Sequence, residues 1–200
     1  GEMTIAQSQA VMLATAYQHT DSNNPTGGNR TIDVRVNDGD TDSAVATTTV
    51  TLAPVNDASA VDLDTGTAGI DYAFTFTEGD AATTIVDASV SVLDVDDTTL
   101  MNVTLDTGGI VDGASEQLTV GDLTFALNAA DFNNAAVTSG GNLYTVDWVN
   151  ATGMATITLN SGEMTIAQSQ AVMLATAYQH TDTGNPTGGA RTIAVTVNDG

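Results

Sequence analysis

The sequence of 200 residues has no cysteine and no lysine, and only three arginines, three prolines and one tryptophan. Without cysteine there is no disulfide scaffold, no thiolate metal site and no Cys nucleophile. Three cations leave almost nothing to meet phosphates, which excludes nucleic-acid binding. Twenty-five acids give a net charge of −22, which anionic membranes repel. No apolar run approaches membrane-spanning length and no segment has a signal-peptide pattern. Neither nucleic acid nor membrane insertion is therefore an expected partner.

What the chain does have is aspartate and threonine. Of the acids 21 are Asp and four are Glu, and there are 34 threonines. Asp favours turns and metal loops, whereas Glu favours helices. Unscreened, a charge of this size opposes compaction, so high salt or bound divalent cations are expected to offset it.

The sequence repeats itself. Residues 1–39 and 162–200 are the same 39-residue text at an offset of 161, differing only at Ser22/Thr183, Asn23/Gly184, Asn29/Ala190, Asp33/Ala194 and Arg35/Thr196. A period of 161 residues is too long for a solenoid coil and suits a whole domain. The chain opens in mid-repeat and reads as a window on a longer protein.

Hydrophobic alternation predicts strands. Ile32, Val34 and Val36 alternate with Thr31, Asp33 and Arg35, and the two copies differ only on the second face. A turn at Asn37-Asp38-Gly39-Asp40 leads to a return strand at 44–52. Tyr72, Phe74 and Phe76 mark a strand at 72–77, and Met101, Val103 and Leu105 another. Hairpins are expected at 144–159, around Asn150 to Gly153, and at 118–127, around Gly121-Asp122. Residues 4–13 and 165–174 read as a short helix in each copy. The fold class is all-β, a β-sandwich repeat with one short helix. The boundary is placed at Pro54: residues 1–54 are the C-terminal part of one repeat. Residues 55–200 are the next, lacking the last strand that 40–53 supplies to the first.

The runs VNDAS at 55–59, FTEGD at 76–80, LDVDD at 93–97 and RTIDVRVNDG at 30–39 resemble the cadherin-like, Ig-like tandem repeats of giant bacterial surface adhesins, which are type I secreted and biofilm-associated. The TAYQHTD and VNDG stretches also resemble chondroitin-sulfate-proteoglycan-type repeats. The resemblance implies sandwiches strung end to end, stiffened by Ca2+, on the extracellular cell surface. It also implies a role in adhesion or biofilm cohesion, with neighbouring repeats as partners in a string or filament.

Calcium needs six to eight hard oxygens. Asp94, Asp96 and Asp97 resemble the family's DxD element, Glu78 and Asp80 its strand-end acid, and Asn56 and Asp57 its linker pair. The linker departs from the family pattern, with Pro54-Val55 before Asn56 and Ala58 after Asp57. Turn capping is the alternative reading of these acids, and a plain hairpin turn is preferred for Asn37, Asp38, Asp40 and Asp42. His19 and His180 lack a nucleophile motif, so no catalytic role is expected and the chain is read as no enzyme. Arg30 and Arg191, retained where Arg35 is not, suit a fixed salt bridge. Trp148 and Tyr144 are read as core, with a sugar-stacking platform as the alternative. Two functions follow: a structural repeat of an adhesin or surface fibre, or a calcium-dependent carbohydrate-binding module that would take surface glycans.

Overall fold

The computed structural model describes residues 2–200, which form two compact units, the first ending at Asp57 and the second running over Ala58–Gly200.

The first unit holds α1 (Ile5–Ala14), β1 (Gly28–Val34) and β2 (Ala46–Leu52). Helix α1 starts where a Thr can cap it. Gln7 N donates to Thr4 Oγ1 at 3.2 Å, and Thr4 N donates back to Gln7 Oε1 at 2.8 Å. This reciprocal capping box satisfies two amides that the helix itself cannot. Strand β2 pairs antiparallel with β1 over all seven residues, from Gly28↔Leu52 to Val34↔Ala46. Arg30, Ile32, Val34, Val50 and Leu52 are half-buried on the shared face. The expected strand at 31–36 therefore begins and ends earlier. Val36 lies beyond it at 47% exposure, where Ser43 N donates to its carbonyl at 2.8 Å and closes the connecting loop. No described residue of this unit is buried.

The second unit contains β3 (Ala60–Asp62), β4 (Thr83–Thr84), β5 (Ser91–Leu93), β6 (Thr99–Leu100), β7 (Asn102–Gly108), β8 (Glu116–Val120), β9 (Leu123–Ala126) and β10 (Phe132–Ser139). It continues with β11 (Asn142–Val149), β12 (Met154–Leu159), β13 (Met164–Thr165), α2 (Ile166–Leu174), β14 (Thr176–His180) and β15 (Thr192–Asn198). All pairings are antiparallel. They build a five-stranded sheet β10-β11-β12-β7-β15, a four-stranded sheet β4-β14-β8-β9, and the pairs β3-β5 and β13-β6. The protein is mostly β.

Period-2 alternation supplies the core. Val103 and Leu105 of β7, Val146 and Trp148 of β11, Ile157 of β12 and Val195 of β15 join Leu118, Val120, Phe125 and Tyr178 of the four-stranded sheet in one apolar cluster. Helix α2 adds Val172 and Met173. Tight turns set the registers. Gly140 and Gly141, with φ of 57° and 79°, join Ser139 to its partner Asn142, the double left-handed geometry that a two-residue hairpin favours.

Two expectations change here. Met101 precedes β7 and is 49% exposed, so only Val103 and Leu105 of that trio face the core. Residues 72–77 are not a strand. Their alternation survives in half-buried Tyr72 and Phe76, but no neighbouring backbone completes a ladder. Strands β10 and β14 were not anticipated. In β14 the inward residues are Thr176, Tyr178 and His180, whose polar atoms hide the alternation. No helix among the described residues is long and apolar enough to cross a membrane.

Candidate functional site

The acidic loop after β5 is built by an Asp turn. Asp94 Oδ1 accepts the amides of Asp96 at 3.0 Å and Asp97 at 2.7 Å. The Asp97 amide, helped by that of Asp96 and opposed by burial, holds the Asp94 carboxyl down at about 2 from an ordinary 3.8. Its charge is thereby fixed, while Oδ2 is shielded from solvent with no hydrogen-bond donor on it. Carboxylate oxygens of Asp94, Asp96 and Asp97 lie within 4.8 Å of one another. A locked charge, a shielded oxygen and convergent hard donors are what a divalent cation such as Ca2+ would satisfy.

Asp199 belongs to the same neighbourhood, although sequence reasoning did not select it. Ala60 pairs with Leu93, which sets Ser59 across from Asp94, and Ser59 donates its amide and hydroxyl to Asp199 Oδ2, both at 2.9 Å. The repetition of Asn-Asp-Gly at 198–200 is the signal that pointed to it. Of the other expected ligands, Glu78 and Asp80 are not among the carboxylates that converge with this cluster. Asp80 Oδ2 accepts the Thr77 amide at 2.7 Å in a turn, and Glu78 is exposed. Asn56 and Asp57 are exposed in the first unit.

A second group, Asp112, Glu116 and His180, also converges within 4.8 Å. Here the protein provides its own cation. Glu116 is fully buried and accepts Arg191 Nε on Oε2 at 2.9 Å, Arg191 Nη2 on Oε1 at 3.1 Å, and the Tyr178 hydroxyl at 3.0 Å. The amides of Val111 and Asp112 complete Oε1 at 2.9 and 2.8 Å. Asp112 Oδ2 contacts His180 Nε2 at 2.9 Å and Arg191 Nη2 at 3.4 Å, and Asp112 also accepts the Thr187 amide and hydroxyl at 2.7 and 2.6 Å. Burial pushes Glu116 up, but Arg191 and the amides of Asp112 and Val111 outweigh it, so its pKa is lowered. The Thr187 hydroxyl leads in lowering Asp112. Burial, with the Glu116 charge, pushes Tyr178 up to about 12. Every polar group of this centre is used internally, which makes it a fastening and leaves no ligand position.

Tyr178, His180, Thr187 and Arg191 all belong to the repeated text, and Asp112 and Glu116 to the stretch between the copies. The salt bridge anticipated for Arg191 is thus present, whereas Arg30, among the described residues, donates only to backbone carbonyls, of Thr26 at 2.8 Å and Asn29 at 3.4 Å. Trp148 and Tyr144 are fully buried. Trp148 Nε1 donates to Ala129 O at 3.2 Å and the Tyr144 hydroxyl to Gln168 O at 3.3 Å, so neither forms a surface platform. His19 Nδ1 meets only the Asp21 carbonyl, at 3.1 Å. No family model, curated protein or solved structure matches the chain.

Proposed function

We propose that the chain is a structural tandem repeat of an extracellular adhesin or surface fibre, built as Ig-like or cadherin-like β-sandwiches in series and stiffened by Ca2+ at Asp94, Asp96 and Asp97. One observation carries this reading. The 39-residue repeated text contributes a helix, three strands and Arg191 to the second unit, where Arg191 is fastened to Glu116 of the intervening stretch. A 161-residue period whose copies are near-identical multiplies such a fastening along an array. An enzyme or a terminal lectin is needed once, whereas extension and multivalency need many copies.

The aspartates support the calcium part. With a net charge of −22, a cation on the 94–97 loop relieves repulsion that three arginines cannot. The carbohydrate-binding alternative loses its aromatic platform, since Trp148 and Tyr144 lie in the core.

The test is thermal unfolding with calcium or chelator. A ligand that binds only the folded state adds about 2.7 kcal/mol at a hundredfold excess over Kd. Melting temperature rises with calcium, and Asp94→Ala and Asp96→Ala weaken that rise more than Asp122→Ala, whose carboxylate serves only the Thr138 amide at 2.7 Å. A melting temperature indifferent to calcium and chelator at low salt would sink the proposal. Equal loss in all three variants would reduce the acids to bulk charge.

A further inference from the structure

The two ring nitrogens of His180 have partners of opposite kind. The residue is 6% exposed, and its cross-strand partner is the fully buried Glu116. On one side the Asp182 amide donates to Nδ1 at 3.3 Å. An amide N–H only donates, so Nδ1 carries no hydrogen. On the other side Nε2 lies 2.9 Å from Asp112 Oδ2. The Thr187 hydroxyl holds the Asp112 carboxyl below its ordinary range, so the carboxylate is charged and only accepts. Nε2 therefore carries the hydrogen. Together the two contacts define one species, the neutral ring protonated on Nε2.

The ring also holds the loop between β14 and β15. Thr181 donates its amide to Ser115 O at 2.8 Å, and Thr187 donates its amide and hydroxyl to Asp112 at 2.7 and 2.6 Å, which pins the loop at two points. Between the pins Asp182 begins a turn, its Oδ1 accepting the amides of Gly184 at 2.8 Å and Asn185 at 3.4 Å. Among the described residues, the hydrogen bond that ties this turn to the core is the one from the Asp182 amide to His180. The first copy shows another seating of the same text. Asp21 begins the same turn, accepting the amides of Asn23 and Asn24 at 3.1 and 3.2 Å, but His19 Nδ1 faces the Asp21 carbonyl at 3.1 Å. A carbonyl only accepts, so that contact requires a hydrogen on Nδ1. The His-Thr-Asp text thus has one seating for a bare Nδ1 and another for a protonated one.

We infer that His180 is a proton-operated latch on the 182–186 turn: the neutral ring holds the Asp182 amide, and the imidazolium releases it. Histidine is the side chain that gains its proton between about pH 8 and about pH 5. The incoming proton goes to Nδ1, since Nε2 already carries one. It sets N–H against N–H at the Asp182 contact and turns Nδ1 from an acceptor into a donor. Nε2 keeps Asp112, now as a charged pair. The turn then reseats with a carbonyl toward Nδ1, as in the first copy, while Thr181 and Thr187 stay pinned. Among the described residues, the charged and titratable groups around the ring are Asp112 and Glu116 on the β8 side, Arg191 before β15, and Tyr178 and Asp182 on its own segment. Asp71 and Glu78 line the cavity that the ring also borders. Asp112 and Glu116 have lowered pKa values and stay ionised over this range. Two carboxylates against the Arg191 guanidinium leave one negative charge in the centre, which the imidazolium cancels. Acid therefore opens the latch without building up charge in the core.

The experiment is an NMR titration of the isotope-labelled full chain from about pH 8 to about pH 5, read at the His180 ring nitrogens and at the Asp182 and Thr187 amides. At the alkaline end the ring is expected to carry its hydrogen on Nε2. Through the His180 titration the exchange protection of the Asp182 amide is expected to fall about tenfold, the loss of one hydrogen bond, while Thr187 keeps its own. His180→Asn offers an amide oxygen near the Nδ1 position and does not titrate, so Asp182 is expected to stay protected at both ends of the range. The inference is overturned if the alkaline ring carries its hydrogen on Nδ1, or if the Asp182 amide ignores the His180 titration. It is equally overturned if Asp182 and Thr187 lose protection together, or if Asp182 responds to pH in the Asn variant as it does in the native chain. The ring and amide readings on the native chain decide between these outcomes even where the variant does not fold.

Discussion

The two copies of the repeated text form the same local structures in different surroundings. Helices α1 and α2 have the same Thr–Gln capping box, and both copies carry a strand that contains the Thr-Ile pair following the retained arginine. Burial separates them. Val11, Met12 and Tyr17 are 56, 44 and 40% exposed, while Val172, Met173 and Tyr178 are at 0, 0 and 6%. Arg191 reaches Glu116; Arg30, bonded to the corresponding Thr carbonyl, reaches no carboxylate. Capping and short hydrogen bonds are settled within a few residues of chain, whereas burial needs partners supplied by the stretch between the copies.

The sharpest break of this comparison is at the arginines. Arg191→Ala leaves Glu116 charged in the core, and breaking one side of a buried pair costs about 3–5 kcal/mol. Arg30→Ala is an exposed change worth less than about 0.5 kcal/mol. Urea unfolding read by Trp148, the chain's one tryptophan, should show a large fall in midpoint for the first and none for the second. Equal shifts would mean that the first copy is also locked into a core.

The methionines come next. Met173→Ala opens a cavity and is expected to cost about 2–5 kcal/mol, against near zero for Met12→Ala. The same unfolding assay reads both, and a small effect at Met173 would show that the core around α2 collapses to fill the space.

The acid limb of stability sharpens the contrast further. Glu116 and Asp112 have lowered folded pKa values, from ordinary values of 4.5 and 3.8. The unfolded chain then binds more protons in acid, so their stabilisation is present above those ordinary values and is lost as pH falls through the folded ones. Arg191→Ala should flatten the decline in melting temperature below pH 4.5, and an unchanged slope would assign acid sensitivity to bulk charge.

The smallest effect belongs to the caps. Thr→Ala at an N-cap costs about 1 kcal/mol. Helix α1 has no buried residue to hold it, and short helices without packing are marginal in water. Thr4→Ala should therefore reduce helical circular dichroism, while Thr165→Ala leaves α2 formed on the core contacts of Val172 and Met173. Equal helix loss in the two variants would show that packing does not hold α2.

Much of this was legible in the residues. The repeat, both helices, the β1–β2 pairing, the β8–β9 turn and the β11–β12 hairpin follow from periodicity and turn chemistry, which act over a few residues. Asp94, Asp96 and Asp97 were selected as a group because they share one loop, and an Asp turn brings them together by local hydrogen bonds. Glu116, Asp112 and Asp199 were not selected, since their side-chain partners are 62 to 140 residues away.

By itself, then, the sequence determined capped helices, alternating strands, tight turns and the matched text of β1 and β15, because backbone geometry and side-chain period are local. Only the tertiary structure decided which copy of Met, Tyr and Arg is buried. It also decided that residues 72–77, alternating as a strand should, remain without a partner, because burial and ladder pairing depend on which distant backbone lies alongside.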